Sequence, residues 1–208
     1  MTHIFICAIG PVQDFIATAR RSRDLWYGSW MLSELSKAAA CFIAENYGEK
    51  SLIFPSPDNI SALYPETEVS VANKIVAVLE TLPEKFGEKI QEVIATRLDT
   101  LQENAFDKIM GQYNKDFAKE QVKDLLEYYW VSVKYDKESD YSHARDQAER
   151  LLATRKNTRN FENFQGDYLP KSSLDGARES VIPETAYPQG NRDPQRDEKI
   201  RKLVTAQA

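Results

Sequence analysis

Short apolar runs alternate along this chain with longer segments of helical periodicity. The run His3–Ile9 is apolar and rich in β-branched residues, and it stops at Gly10-Pro11. This pattern predicts a buried strand followed by a tight turn into a helix. Over residues 12–43 apolar positions recur every three or four residues, which predicts two helices with a break near Tyr27–Gly28.

Three further strands are predicted, at Ser51–Phe54, Asn73–Leu79 and Tyr128–Tyr135. The charged segment 83–126 keeps apolar residues at helical spacing, which predicts a long helical hairpin or helix pair. The segment between the second and third strands carries turn residues and is expected to be a surface loop. The order of elements is therefore βαββαβ, which is typical of a ferredoxin-like α+β fold.

The chain after the fourth strand has a different character. A helix is predicted over residues 141–161, with one apolar face made by Ala144, Ala148, Leu151 and Leu152. Beyond residue 164, prolines and glycines between charges indicate an irregular tail. We therefore expect a ferredoxin-like domain at 1–136, a helical extension at 137–164, and an irregular tail at 165–208 that leads to a missing or separate second part.

Composition and charge exclude several classes of protein. The 208 residues are 42% hydrophobic, and 27 basic against 32 acidic side chains give a net charge of −5, which excludes a surface that is basic throughout. No apolar run is long enough to span a membrane. The only cysteines, Cys7 and Cys41, lie in apolar runs, so we expect reduced core thiols in a cytoplasmic protein.

The turn after the first strand carries the candidate chemistry. Unpaired N–H groups at a helix start favour an anion such as phosphate, and Gln13 and Asp14 are suited to cap this helix or to meet a sugar hydroxyl. Gly28-Ser29 offers a second small-residue turn that phosphate can approach. The residues alone leave a structural alternative open, in which Gly10-Pro11 only ends the strand and Gly28 only breaks a helix.

Other candidates are weaker. His3 and His143 lie in different kinds of element and suggest no metal pair. Phe15, Trp26 and Trp30 have helical spacing and are expected to pack in the core. A basic cluster could contact crRNA or target RNA or a neighbouring subunit, or it could form i,i+4 ion pairs with interleaved acids, and ion pairing is favoured. Its members are Arg145, Arg150, Arg155, Lys156, Arg159 and Lys171.

The run GPVQDFIATARRSRDLWYGSWMLSEL at residues 10–35 resembles the opening of the first palm domain in the large subunit of type III-B CRISPR effector complexes, the Cmr complexes. Three collinear blocks are similar to the same family. They are Phe54-Pro55 after a short strand, the run VANKIVA at 71–77, and the segments 152–161 and 170–179.

This resemblance implies a palm fold of ferredoxin type, in which two palm domains hold ATP between them and make cyclic oligoadenylate. It implies that ATP is the substrate, with Mg or Mn held by another domain, because the Gly-Gly-Asp-Asp turn of the family's second palm is absent from these 208 residues. This chain alone is therefore not expected to polymerise ATP, and it has no predicted catalytic or metal-binding residue. The nucleotide-facing candidates are Gly10, Gln13, Asp14 and Ser29, with Arg20 and Arg23 as contacts to phosphate or to RNA in the complex.

Two functions follow as hypotheses. In the first, the chain contributes the first palm half of an ATP-binding pocket to an antiviral effector complex. Its partners would be other Cmr-type subunits, a second palm domain, crRNA and target RNA, with no membrane involved. In the alternative, it is a catalytically silent palm that scaffolds neighbouring subunits without binding nucleotide. A stand-alone nucleotidyl cyclase would need metal-binding carboxylates near Ile9 or Asn59, and the strand before Gly10 has none.

Overall fold

The computed structural model describes residues 2–13, 17, 19, 21–107, 113–158, 171 and 178–182. Its sheet has four strands, β1 (Thr2–Gly10), β2 (Leu52–Phe54), β3 (Lys74–Leu79) and β4 (Glu127–Tyr135). The spatial order is β2-β3-β1-β4, and every neighbouring pair is antiparallel. This is the strand order of two interleaved βαβ units, and the predicted ferredoxin-like α+β fold is confirmed.

In the described part of the chain, the sheet is accompanied by the helices α1 (Ser22–Tyr47), α2 (Phe86–Phe106), α3 (Lys115–Leu125) and α4 (Tyr141–Asn157). The predicted helix pair between β3 and β4 is thus confirmed as α2 and α3. Short 3₁₀ turns lie at Glu49–Ser51, Ile60–Leu63 and Glu138–Asp140. Among the described residues, no helix is both long and apolar enough to cross a membrane.

The chain divides into two compact units, Met1–Arg97 with Leu126–Glu162, and Leu98–Leu125 with Asn163–Ala208. The first holds the sheet. In the second, the Gln121 side chain donates to the Glu179 carbonyl at 2.9 Å and accepts the Glu179 N–H at 2.8 Å. The division predicted at residues 136 and 164 stays a prediction, and most of 165–208 lies outside the described residues.

The predicted helix break near Tyr27–Gly28 is wrong. Helix α1 begins at Ser22 and runs without interruption through Gly28, which is buried. The actual start is marked by Asp24, whose carboxylate accepts the Arg21 N–H at 3.1 Å, as expected of an acid in the first turn. The helix ends before Gly48, whose φ of +88° suits glycine.

Strand β1 is buried on both faces, because every residue from Ile4 to Ile9 is inaccessible to solvent. On one face Ile4, Ile6 and Ala8 pack against a stripe of α4 made by Ala144, Ala148 and Leu152. On the other face the Phe5 ring meets the Phe86 ring of α2 edge-on, with centroids 4.8 Å apart. Tyr47 at the end of α1 also contacts Phe86, so α1 and α2 share this second face.

Two burial expectations are wrong. Trp26 is 64% exposed and Trp30 is half-buried, because the buried face of α1 starts only at Gly28. Leu151 is 43% exposed, since only the i, i+4, i+8 stripe of α4 meets the sheet. Phe15, the third predicted aromatic core residue, lies outside the described residues.

Substituting Gly87 by alanine is predicted to destabilise the fold. A Cβ built there would lie 1.9 Å from Cε2 of Trp130, whereas alanine at an open helix position usually stabilises. We expect Gly87→Ala to lower the free energy of unfolding by about 1–3 kcal/mol, measured by urea denaturation. The exposed Glu92→Ala on the same helix is the control, and an unchanged or raised stability of Gly87→Ala would contradict the packing.

Candidate functional site

Asn73 fixes the end of β1. The Ile9 N–H donates to the Asn73 carbonyl, and the Asn73 side-chain amide donates back to the Ile9 carbonyl, both at 2.8 Å. Gly10 follows directly, and Val12 and Gln13 take up helical conformation. The turn after β1 is thus held rigidly against the start of β3.

A first cleft of about 520 Å³ lies on one side of this turn. Its size falls in the range of small-molecule sites. Its walls are apolar at Leu25 and Leu32, and Ser29 contributes a hydroxyl group. The absence of a side chain at Gly28 leaves the helix backbone open to the cleft. The remaining lining residues are Val12, Ser70, Val71, Ala72 and Asn73.

A second cleft of about 560 Å³ lies on the other side of the same turn. It is more polar, because Lys156 and Asn157 at the end of α4 reach it together with Gln13 and Glu127. Gly10 lies beside Glu127 in this cleft, since a Cβ at Gly10 would be in ordinary contact with a Glu127 carboxylate oxygen at 3.4 Å. The other lining residues are Ala8, Ile9, Pro11, Val12, Asn73 and Tyr129.

The predicted site residues are divided between the two clefts. Ser29 lines the first, whereas Gly10 and Gln13 line the second, and Val12 and Asn73 border both. Arg23 lines neither cleft. It is exposed on the first turn of α1, with its Nε 3.7 Å from the Asp24 carboxylate. Asp14 and Arg20 lie outside the described residues.

Sequence reasoning missed Ser70, Glu127 and Asn157 as cleft residues, and it placed Lys156 only in a basic cluster. Lys156 follows Gly10 by well over a hundred residues, so only the sheet topology brings them together. The basic residues around Lys156 indicated a binding role, but nothing in the sequence showed that Lys156 would line this cleft. The carboxylate of Glu149, in the middle of α4, pairs with Lys74 of β3 at 2.5 Å.

A buried ion cluster lies beneath the first cleft. Glu34 is fully buried and Lys37 is only 2% exposed, and the Lys37 ammonium lies 2.6 Å from one Glu34 oxygen. The other Glu34 oxygen accepts from the Arg97 guanidinium and, at 3.0 Å, from the Glu66 N–H. Lys37 also donates to the Thr67 carbonyl at 2.7 Å. Every charge is thus paired, which burial requires.

This cluster positions one wall of the cleft. Glu34 and Lys37 hold the backbone at residues 66 and 67, and one turn earlier on α1 the Ser33 hydroxyl accepts the Val71 N–H at 2.8 Å. The segment Ser70–Asn73 follows immediately and lines the first cleft. The polar residues buried in α1 therefore fix the position of the loop that faces Ser29.

Neither cysteine has the character of a nucleophile. Burial raises the pKa of the Cys7 thiol to about 12 and that of Cys41 to about 11, so both are neutral near pH 7. Among the described residues, no three histidine, cysteine, aspartate or glutamate side chains come together as a metal site would require.

Fold and site together define a ferredoxin-like α+β domain with a ligand-sized cleft on each side of the turn after its first strand. The chain belongs to the family described as CRISPR-associated protein Cmr2, N-terminal, whose model matches residues 4–123. The resemblance to the large subunit of Cmr complexes is thereby confirmed.

This chain is similar to one relative over part of its length and to one solved structure over nearly all of it. The chain is 32% identical over 145 residues to the CRISPR system Cmr subunit Cmr2 of Pyrococcus furiosus, which covers 60% of this chain and 17% of that protein. The cryo-EM structure of the type III-B Cmr-beta bound to cognate target RNA gives a TM-score of 0.54 at 14% identity. It matches 99% of this chain and 30% of the solved chain, and it supports the fold alone.

Stability is predicted to depend on pH through Glu34. Burial by itself would raise the pKa of this carboxyl group, but the hydrogen bonds from Lys37, the Glu66 N–H and Arg97 outweigh it and lower the pKa below its ordinary value. The stabilisation is therefore present above the ordinary glutamate pKa and is lost as the pH falls through the lowered folded-state value.

We expect Glu34→Gln to lower the free energy of unfolding at pH 7 by about 3–5 kcal/mol, since it removes the buried carboxylate that pairs with both Lys37 and Arg97. It should also reduce the loss of stability on acidification. Urea denaturation across a pH series measures both. Glu66→Gln is the matched control, because this side chain is exposed and lies 3.9 Å from Arg97. Equal effects of the two variants would refute the role of the buried cluster.

Proposed function

We propose that this chain is the first palm half of an ATP-binding pocket in a type III-B CRISPR effector complex. The observation that carries the proposal is the pair of clefts flanking the Gly10 turn. A nucleotide needs apolar walls for its base and cations or N–H donors for its phosphates. The first cleft offers apolar walls with the Ser29 hydroxyl, and the second offers the Lys156 ammonium with the Gln13 and Asn157 amides.

The family resemblance supports ATP as the nucleotide. In the proposal this chain binds and orients ATP, while a second palm domain would hold the Mg or Mn ions. One ATP 3′-hydroxyl would then attack the α-phosphate of another, forming a phosphodiester bond and releasing pyrophosphate. The chain spans 17% of its Pyrococcus relative, so the remaining parts of such a protein, other complex subunits, crRNA and target RNA are its proposed partners. Scaffolding without nucleotide is the competing function.

Replacing Ser29 by alanine is predicted to weaken ATP binding. Loss of one hydrogen bond of about 1 kcal/mol corresponds to an approximately fivefold higher Kd. Calorimetry with Mg²⁺ measures it, on the chain alone and on the chain with a partner bearing the second palm. Ser22→Ala on the same helix is the control, since Ser22 lines neither cleft. No ATP binding in either state would instead favour the scaffold.

Lys156 is predicted to contact phosphate rather than base. Lys156→Ala should therefore raise the Kd for ATP about tenfold, as expected for a lost charge-assisted hydrogen bond, and leave the Kd for adenosine nearly unchanged. The same titrations on Lys134→Ala, an exposed lysine of β4 outside both clefts, provide the control. Equal weakening of ATP and adenosine would contradict a phosphate contact.

A further inference from the structure

Helix α1 exposes a set of aromatic rings just before its buried face begins. The Trp26 and Trp30 rings lie nearly parallel, at 13°, with centroids 6.3 Å apart. The Tyr27 ring contacts Trp30 at 5.6 Å and is itself 43% exposed. These three side chains form one continuous surface, which we call the aromatic platform. None of them lines either cleft.

The aromatic platform does not serve to fill the protein core. Trp26 leaves 64% of its area open, although a solvent-exposed indole forgoes much of the free energy that its burial would gain. Soluble domains seldom expose contiguous large apolar groups without a ligand or partner to cover them. The rings are already held against one another, so a ligand would meet an ordered surface.

The charges beside the platform are mostly positive. Arg23 precedes Trp26 by three residues and so lies next to it on the helix surface, and its side chain is 74% exposed. Arg21 is also exposed. The acid of this first turn, Asp24, is engaged by the Arg21 N–H at 3.1 Å and by Arg23 at 3.7 Å. Arg23 therefore lies beside the open indole on the helix surface, and Arg21 adds a second exposed positive charge at the start of α1.

We propose that the aromatic platform binds single-stranded RNA, with an unpaired base stacked on Trp26 and Arg23 paired with a neighbouring phosphate. An exposed flat ring with a positively charged side chain beside it on the helix surface is a combination that unpaired nucleotides recognise. The positive charges of Arg21 and Arg23 complement the phosphates of RNA, which favours a nucleic acid over an uncharged apolar segment as the ligand. The inference rests on the proposed RNA partner, but not on the ATP site.

The test uses the full 208-residue chain and a fluorescein-labelled ten-nucleotide oligouridylate, followed by anisotropy. Loss of one stacking contact should weaken binding of Trp26→Ala about 5-fold to 150-fold, and Trp26→Phe should retain part of the affinity. The matched control is Tyr64→Ala, because Tyr64 is another exposed aromatic residue, 44% exposed, and lies away from the platform in the loop after β2. Arg23→Gln should make the salt dependence of binding shallower by about one phosphate contact.

Two results would overturn the proposal: no binding at about 100 µM oligonucleotide, or equal affinities of wild type and Trp26→Ala. In either case, protection of Trp26 from acrylamide quenching by a protein subunit would identify a protein-docking surface instead. ATP titration of Trp26→Ala separates this inference from the nucleotide proposal. Its ATP affinity should equal that of wild type, whichever way the RNA experiment turns out.

Discussion

Strand β1 has no face that water can reach, and this burial is the constraint from which the rest of the domain follows. A half-buried strand needs one covering layer, whereas a strand apolar at every position from Ile4 to Ile9 needs two. Helix α4 supplies one layer and helices α1 and α2 supply the other. The helix after β4 is therefore part of the core and not an accessory, because without it Ile4 and Ile6 would face solvent.

The same strand places the site. Since β1 lies at the centre of the sheet, its end at Gly10 is surrounded by the start of β3, the start of β4 and the end of α4. A cleft lies on each side of the turn, one lined by Gly28 and the other by Gly10. The double hydrogen bond between Ile9 and Asn73 keeps the turn between them in a fixed position. The burial and the central position of β1 therefore determine both the packing of the core and the geometry of the site.

Local sequence patterns predicted the helices and strands of this fold well. They predicted poorly which residues distant in the sequence come together in space. The apolar run of β1 and the alternation of β4 identified both strands, and the order of elements was enough to predict the topology. Gly28 was misread as a break because glycine weakens helices, yet here it is buried where a larger side chain would fill the cleft. Lys156 could not be assigned to the second cleft, because nothing local to it shows which strand end it will meet.

The polar groups buried in α1 are harder to explain by stability than by positioning. A buried ion cluster such as Glu34, Lys37 and Arg97 costs desolvation free energy that apolar residues of similar volume would not. The cluster instead fixes the position of a backbone segment. Its hydrogen bonds end on the backbone at residues 66 and 67, directly ahead of the loop that lines the first cleft. Helix α1 therefore contributes to two separate surfaces of the domain. Its buried polar middle fixes the cleft wall, while its first two turns, which bury nothing before Gly28, leave Trp26 free for a different ligand.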